Sequence, residues 1–444
     1  MRIELDTWPL GLTSASTVTD HASLVVRRLL HRAPFRELPG PVPRTGPDVC
    51  DAADTADGGL TWRLGLAARG QTDNEALAAA LNALRDDPDP AHRFARRIIR
   101  QACPAPDGGV LLTLTRPVGY ARELLASPAF WLPPQFVPGH YMVDRLDPAV
   151  GLIVLRPVGP ARAGEIRFTA TGSPAAGYGL LDQGRLDYTC HTYFDPGITA
   201  PRHPGLLSTA QHLLMTASLL PVKGSELAAD PSGRLAISLA LRRELLATAA
   251  GCVMAPLWRY SAMWSGPRPD TPVPDSGLAR RLLRESSLAA RSAVTLDYAP
   301  FAPNAEIARE VARQIDRVLG IEVVPRPIAY ERYAAGNHDS GSDLELVLAN
   351  PPYADPSAWL WAWSAGLPRT IRRHIASAER VPSPRRRLAG YQAVENEIFR
   401  TWMPAVPLLR CQARYRRRSG TRPLPVTPLG MLDPLAMTPD ASLR

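Results

Sequence analysis

Val294-Thr295-Leu296-Asp297-Tyr298 opens the stretch, Ser292 to Trp363, from which the fold is read. Side chains alternate along a strand, so Val294, Leu296 and Tyr298 share one side. Ile307, Val311, Ile315, Val318 and Leu319 then recur at spacings of three and four, the period of a helix with one apolar face, and leave Arg309, Arg313 and Arg317 for solvent. Gly320 can end that helix in the left-handed conformation that a Cβ disfavours. Ile321-Glu322-Val323-Val324 reads as a second strand, completing a βαβ unit, and Asp343-Leu344-Glu345-Leu346-Val347-Leu348 as a third. At its carboxyl end stands Ala349-Asn350-Pro351-Pro352-Tyr353-Ala354-Asp355-Pro356. Ligands of open parallel sheets lie just beyond the carboxyl ends of strands, so this loop and the tryptophans behind it are the first place to look for a site.

A strand, an amphipathic helix ending in Leu-Gly-Ile-x-Val, and a strand with Asp-Leu at its start and Asp-Pro shortly after its end resemble the second lobe of family 5 solute-binding proteins. That family includes the oligopeptide, dipeptide and nickel binders that feed ABC transporters. Other segments agree in order: Gly59-Leu60-Thr61-Trp62-Arg63-Leu64, Leu112-Thr113-Leu114-Thr115-Arg116-Pro117, Leu124-Leu125-Ala126-Ser127-Pro128-Ala129-Phe130 and Gly184-Arg185-Leu186-Asp187. The resemblance runs over most of the chain. It implies an α/β, two-lobed, type 2 periplasmic-binding-protein-like fold with a ligand cleft between the lobes. The expected boundaries are a first lobe over 1–265 with a reduced subdomain near 60–130, a linker over 266–276, a second lobe over 277–390, a return to the first lobe over 391–415, and a loose Pro-rich tail over 416–444.

Bulk properties fit a globular protein: 444 residues, 45% hydrophobic, are enough for more than one sizeable core. The net charge of +9 is almost all arginine, with Lys223 the only lysine, and the basic residues are scattered apart from Arg385-Arg386-Arg387 and Arg416-Arg417-Arg418. Without an aromatic-interleaved basic sheet or a helix-turn-helix, no nucleic-acid partner is expected. No apolar run approaches a membrane-spanning length, so membrane insertion is not expected either. Cys50, Cys103, Cys190, Cys252 and Cys411 are odd in number and widely spaced, which points to reduced thiols. Met1-Arg2-Ile3-Glu4-Leu5-Asp6 passes into mixed polar sequence without a basic region, apolar run or cleavage site, and this is read as a cytoplasmic location. Transporter subunits are partners only if the chain is exported.

Taken in order, Arg2 to Leu5 is an edge of sheet, Trp8-Pro9 faces the cleft, and Leu24, Val25, Arg28 and Leu29 begin a helix. Pro34 to Gly59, rich in Pro, Gly and Asp, is loop. Phe130-Trp131-Leu132-Pro133 forms a loop after a short helix. The family places a strand after Gly184-x-x-Asp187 that runs up to the cleft, which implies that His191, Tyr193 and Asp195 point into it together. Ile237 to Ala250 is a helix assigned to the first lobe, and Tyr391, Val394, Ile398 and Trp402 line one face of a late helix.

The densest aromatic feature is Tyr353, Trp359, Trp361 and Trp363. An extended segment would put the three tryptophans on one face; a helix would spread them about 100° apart per residue. Either some pack in the core of the lobe, or at least one forms an aromatic wall for a flat or cationic ligand. Asp355 is either a loop-shaping residue or a group that reaches a ligand amine. The carboxylate that holds a peptide amino terminus in the peptide binders lies a few residues earlier, where this chain has no acid. His191 is either a hydrogen-bonded wall of the cleft or a proton shuttle. No histidine spacing specifies a metal site, and no Gly-rich nucleotide motif, P-loop or Gly-x-Ser-x-Gly occurs, so neither metal nor cofactor is expected.

The leading expectation is a protein that closes on a small amine-bearing or aromatic ligand, amino-acid- or peptide-like, using Trp8, Trp131, Tyr193, Tyr353, Trp359, Trp361 and Trp363. The alternative is an enzyme on the same scaffold catalysing an acid-base-assisted condensation or Pictet-Spengler type cyclisation of an aromatic amino acid with an aldehyde, with His191, Asp195 and Asp355 as its acid-base groups.

Overall fold

A computed structural model describes residues 1–12, 20–67, 72–87, 92–159, 164–191, 205–251, 253–263, 274–334, 341–364 and 366–437. The deciding stretch folds as its pattern predicts. Ala293–Tyr298 and Glu322–Pro327 are parallel neighbours joined by the helix Asn304–Leu319, whose Ile307, Val311 and Ile315 are buried. Gly320 ends the helix at φ 70°, and its N–H donates to the Asp316 carbonyl. Leu344–Ala349 pairs in parallel with the first of these strands.

These strands belong to a six-stranded sheet in the order Met254–Pro256, Val406–Arg418, Leu206–Pro221, Leu344–Ala349, Ala293–Tyr298, Glu322–Pro327. Two of its members are too long for one lobe. Leu206–Pro221 has 16 residues and Val406–Arg418 has 13, and their antiparallel register shifts between His212 and Thr216. Their far ends reach the first lobe, where Tyr188 bridges both Ile3 and Arg417. The first lobe carries Arg2–Leu5, Ile166–Ala170, Leu152–Pro157 and Tyr141–Asp147 in a second sheet. Its subdomain is an antiparallel sheet of Cys50–Asp54, Thr61–Leu66, Val110–Leu114 and Ile99–Pro104, covered by the helix Asn74–Asp86. Among the described residues no helix is long and apolar enough to cross a membrane.

Three expectations change. Residues 237–250 form two helices rather than one, Pro231–Ala240 and Arg243–Ala249, because Gln314 takes the Arg242 N–H at 2.6 Å. They pack on Ser276–Arg284 and on the helix of the βαβ unit, so they lie with the second lobe. The segment from Pro34 to Gly59 contains Phe35–Glu37, Thr45–Pro47 and Cys50–Asp54 as strands: the first two pair with each other, and the third pairs with Thr61–Leu66, where Cys50 and Ala53 are buried. The tail is not loose as far as Met437, the last described residue: Leu424, Val426, Leu429, Met431, Leu432 and Met437 are buried. Its prolines suppress regular structure without preventing the apolar side chains from packing. Most of the expected linker lies outside the described residues.

Candidate ligand cleft between the lobes

The C-terminal segment forms a floor where the crossing strands pass between lobes. Leu214, on the first crossing strand, donates its N–H to the Pro428 carbonyl at 2.7 Å, and Gln211 Nε2 donates to Val426 at 3.0 Å. A turn follows, in which Gly430 N–H donates to Thr427 and Met431 N–H returns at Thr427 Oγ1. Gly430 sits at φ 82°, and a Cβ there would lie 2.9 Å from the His21 ring. Both reasons make glycine the residue that fits.

Two successive carbonyls of this turn anchor side chains from opposite lobes. Asn350 Nδ2, from the loop after the third strand of the second lobe, donates to Leu429 O at 2.8 Å. His191 Nε2, from the first lobe, donates to Gly430 O at 2.8 Å, and His21 Nε2 reaches the same oxygen at 3.3 Å. Burial lowers the pKa of both histidines to about 4, so they are neutral at pH 7. Donation through Nε2 puts the His191 proton there and leaves Nδ1 as an acceptor. His191 Nδ1 and Asn350 Oδ1 are both buried, and neither has a hydrogen-bond partner among the described residues. Two acceptors, one per lobe, are thus held on neighbouring carbonyls with their lone pairs unused.

A second meeting of the lobes is a dense seam. Tyr120 and Tyr353 stack with centroids 5.2 Å apart, and Phe94 leans on Tyr353 at 5.5 Å. Tyr120 OH donates to Glu379 Oε1 at 2.5 Å, and Arg116 forms an ion pair with the same carboxylate. Burial holds both tyrosine hydroxyls above their ordinary pKa, with Tyr353 and Glu379 adding to the effect at Tyr120. The main chains also touch: Gly119 N–H donates to Glu379 O at 2.6 Å, and a Cβ at Gly119 would lie 2.4 Å from Val381 O. Arg387 ties the second-lobe side together, donating to Asp355 Oδ2 at 3.1 Å and across the seam to Gly119 O at 2.8 Å.

Asp355 is therefore a structural member of the seam. It is buried, its Oδ1 accepts the Ser357 N–H at 3.0 Å, and burial raises its pKa despite the pull of Arg387. Trp359 to Trp363 lie on and just after the helix Ser357–Ala362, so the indoles spread around an axis instead of sharing one wall. Trp359 is buried in the core, Trp363 packs half-buried against it, and Trp361 lies under the Arg116 guanidinium at 5.6 Å. Trp8 packs half-buried on the core. Trp131 is elsewhere: it stacks on His31 with centroids 6.1 Å apart and lines a 440 Å³ hollow made wholly of first-lobe residues. Tyr193 and Asp195, expected beside His191, lie outside the described residues. His191 is positioned by Gly430 of the tail.

Residues missed in the sequence include Arg116, Tyr120, Glu379 and Arg387, which meet only through the tertiary fold. A further aromatic group, Phe301, Tyr330 and Tyr333, stands past the carboxyl end of Ala293–Tyr298 with centroids 6.0 to 6.4 Å apart. Tyr333 OH is fixed to the edge of Leu348, accepting its N–H at 2.7 Å. The i, i+3 spacing of Tyr330 and Tyr333 was the available signal.

No protein-family model matches the sequence, and no curated protein matches it. Solved structures do. The ABC transporter-associated periplasmic binding protein DppA from Helicobacter pylori, in complex with the peptide STSA, matches with a TM-score of 0.79 at 14% identity over 98% of this chain and 96% of that one. NikA from Brucella suis in complex with Fe(III)-EDTA matches with a TM-score of 0.78 at 15% identity, over 99% and 100% of the two chains. The PBP AgaA from A. tumefacien R10, in complex with agropinic acid, gives 0.78 at 14% identity, over 98% and 96%. The chain thus has the two-lobed α/β fold of the family 5 periplasmic solute-binding proteins, as the order of its segments suggested.

Proposed function

We propose that this protein closes on a small amine-bearing organic ligand, amino-acid- or peptide-like, between its two lobes. The observation that carries the reading is the pair of unused acceptors, His191 Nδ1 and Asn350 Oδ1, held on adjacent carbonyls by opposite lobes. An unpartnered buried acceptor costs about 1–3 kcal/mol, and an amine supplies more than one N–H donor. A ligand with donors for both acceptors interacts better with the closed arrangement than with an open one, which is the condition for a ligand to drive closure. Three of the neighbours in fold are structures bound to the peptide STSA, agropinic acid and Fe(III)-EDTA. Phe301, Tyr330 and Tyr333 offer a place for an aromatic or apolar side group of the ligand. The reading places the chain in the cytoplasm, where Cys50, Cys103, Cys190 and Cys411 remain free thiols, as they are here. Cell fractionation tests that location.

The catalytic alternative has no comparable support. Asp355 is engaged by Arg387 and Ser357, and a histidine with a pKa of about 4 is a weak base at neutral pH.

A thermal-shift panel of amino acids, dipeptides and aromatic amines, each beside its N-acetyl counterpart, tests the proposal. Ligand binding to the folded state raises the melting temperature. A free amine is expected to raise it, and acetylation to remove most of the effect. In titrations with the best ligand, His191→Ala and Asn350→Ala each weaken affinity roughly tenfold. Wild-type affinity in both variants would remove the floor from the ligand site.

A further inference from the structure

A groove of 390 Å³ on the second lobe, separate from the floor of the cleft, is lined by Trp361, Arg369, Arg372, Arg373 and Ala376. Its three arginines lie in the first five residues of the helix Arg369–Glu379, which has no acidic residue in its first turn and no side-chain cap. A helix amino terminus is its positive pole, so guanidiniums there repel the dipole as well as one another. None of the three has a carboxylate partner among the described residues. On the helix Asn304–Leu319, by contrast, Arg309 pairs with Glu306 and Arg313 with Glu310. From Arg369 to Arg386 the one carboxylate is Glu379, and it is buried against Arg116. On the packed helix Pro384–Thr401, Glu397 faces His374 at 3.4 Å, and among the described residues none of the three guanidiniums is ion-paired.

We propose that this groove binds a small phosphate-bearing aromatic anion of the nucleotide class. Planar guanidiniums match phosphate oxygens in pairs, and three of them on one short helical face suit more than one phosphate. Trp361, half-buried at the edge of the groove, offers an indole for a planar ring. Trp361 also lies under Arg116 of the first lobe, so the site adjoins the seam and shares a side chain with it. The inference does not depend on the amine reading of the cleft, because no residue is common to the two sites.

Isothermal titration of the full chain tests it, with ATP as the complete probe, pyrophosphate as the phosphate-only probe and adenosine as the ring-only probe. ATP is expected to bind saturably and with a salt-dependent affinity, pyrophosphate roughly tenfold more weakly, and adenosine not measurably. The triple variant Arg369→Ala, Arg372→Ala, Arg373→Ala changes only exposed side chains and should weaken ATP by about thirtyfold or more while melting like the parent. Trp361→Phe should keep the pyrophosphate affinity and lose part of the ATP advantage. Absence of ATP binding, or equal affinity in the triple variant, overturns the proposal. So does binding of a 30-base-pair DNA duplex or of phosphatidylglycerol vesicles that ATP fails to displace, since that would make the arginines a broad anionic docking face.

Discussion

The lobes meet in two places, and the two are built in opposite ways. At the seam the charged groups are matched: Glu379 receives Tyr120 and Arg116, while Arg387 divides its donors between Asp355 and the Gly119 carbonyl. At the floor, His191 and Asn350 spend their donors on Gly430 and Leu429 and keep an acceptor each in reserve. A matched contact gains nothing from a third party, so in the proposed function the seam sets how firmly the lobes close. An unmatched one gains from any donor that arrives, so in the same proposal the floor sets what they close upon. The sequence offered the tryptophans as an aromatic wall and Asp355 as a loop-shaping or amine-reaching group; at the seam Asp355 is engaged by Arg387 and Ser357, while Trp359 is buried in the core of its lobe.

The separation of roles breaks first, and by the largest margin, at Glu379. Glu379→Ala leaves Arg116 and the Tyr120 hydroxyl without their carboxylate. Loss of the buried Tyr120–Glu379 hydrogen bond, with the ion pair to a partly exposed Arg116, costs about 2–3 kcal/mol, roughly thirtyfold or more in the ratio of closed to open forms. Small-angle scattering should register a larger radius of gyration without ligand. An unchanged radius would mean that the seam does not hold the lobes. Gly119→Ala is next: with Val381 O 2.4 Å from the new methyl group, the main chains must part. Overpacking of this kind costs about 1–3 kcal/mol, and the same scattering measurement reads it. His191→Ala and Asn350→Ala, which lower ligand affinity roughly tenfold, should leave the ligand-free radius alone. If they open the lobes as Gly119→Ala does, the distinction between latch and floor collapses.

How far these features could be read from the sequence follows from the range of the interactions. The βαβ unit was legible because its strands and helix write their burial into local periods, and Gly320 marks the helix end by a local conformational need. His191 was visible as a chemically able residue, but its partner, Gly430, is 239 positions away. Tyr120 and Glu379 are 259 apart, and no period in either neighbourhood refers to the other. The tail was misread for a different reason. Pro423, Pro425 and Pro428 erase the alternation by which Leu424, Val426 and Leu429 would have announced themselves as buried. Asn350 stood in the quoted loop, yet a short amide between a strand and two prolines reads as turn chemistry until Leu429 is seen beside it.

The smallest expected effect sharpens the comparison most, because it is the near-absence of a change. In the proposed site His191 serves the ligand as an acceptor only while Nδ1 is unprotonated. At an ordinary histidine pKa near 6.5, about three quarters of the rings would be charged at pH 6, and the affinity would fall roughly fourfold from this cause alone. Burial instead lowers the His191 value to about 4, so the ring stays neutral and affinity for a ligand of constant charge should hold nearly flat from pH 8 to pH 5. Folding stability should not be flat over the same range. The unfolded chain, with histidines near 6.5, takes up protons before the folded one does, so the stability contributed by neutral His21 and His191 is lost as pH falls from about 6.5 toward about 4. Titrations and melts at matched pH separate the two. An affinity that declines with a midpoint near 6.5 would mean that His191 is open to water, and the floor would then be a wetted surface instead of a desolvated acceptor site.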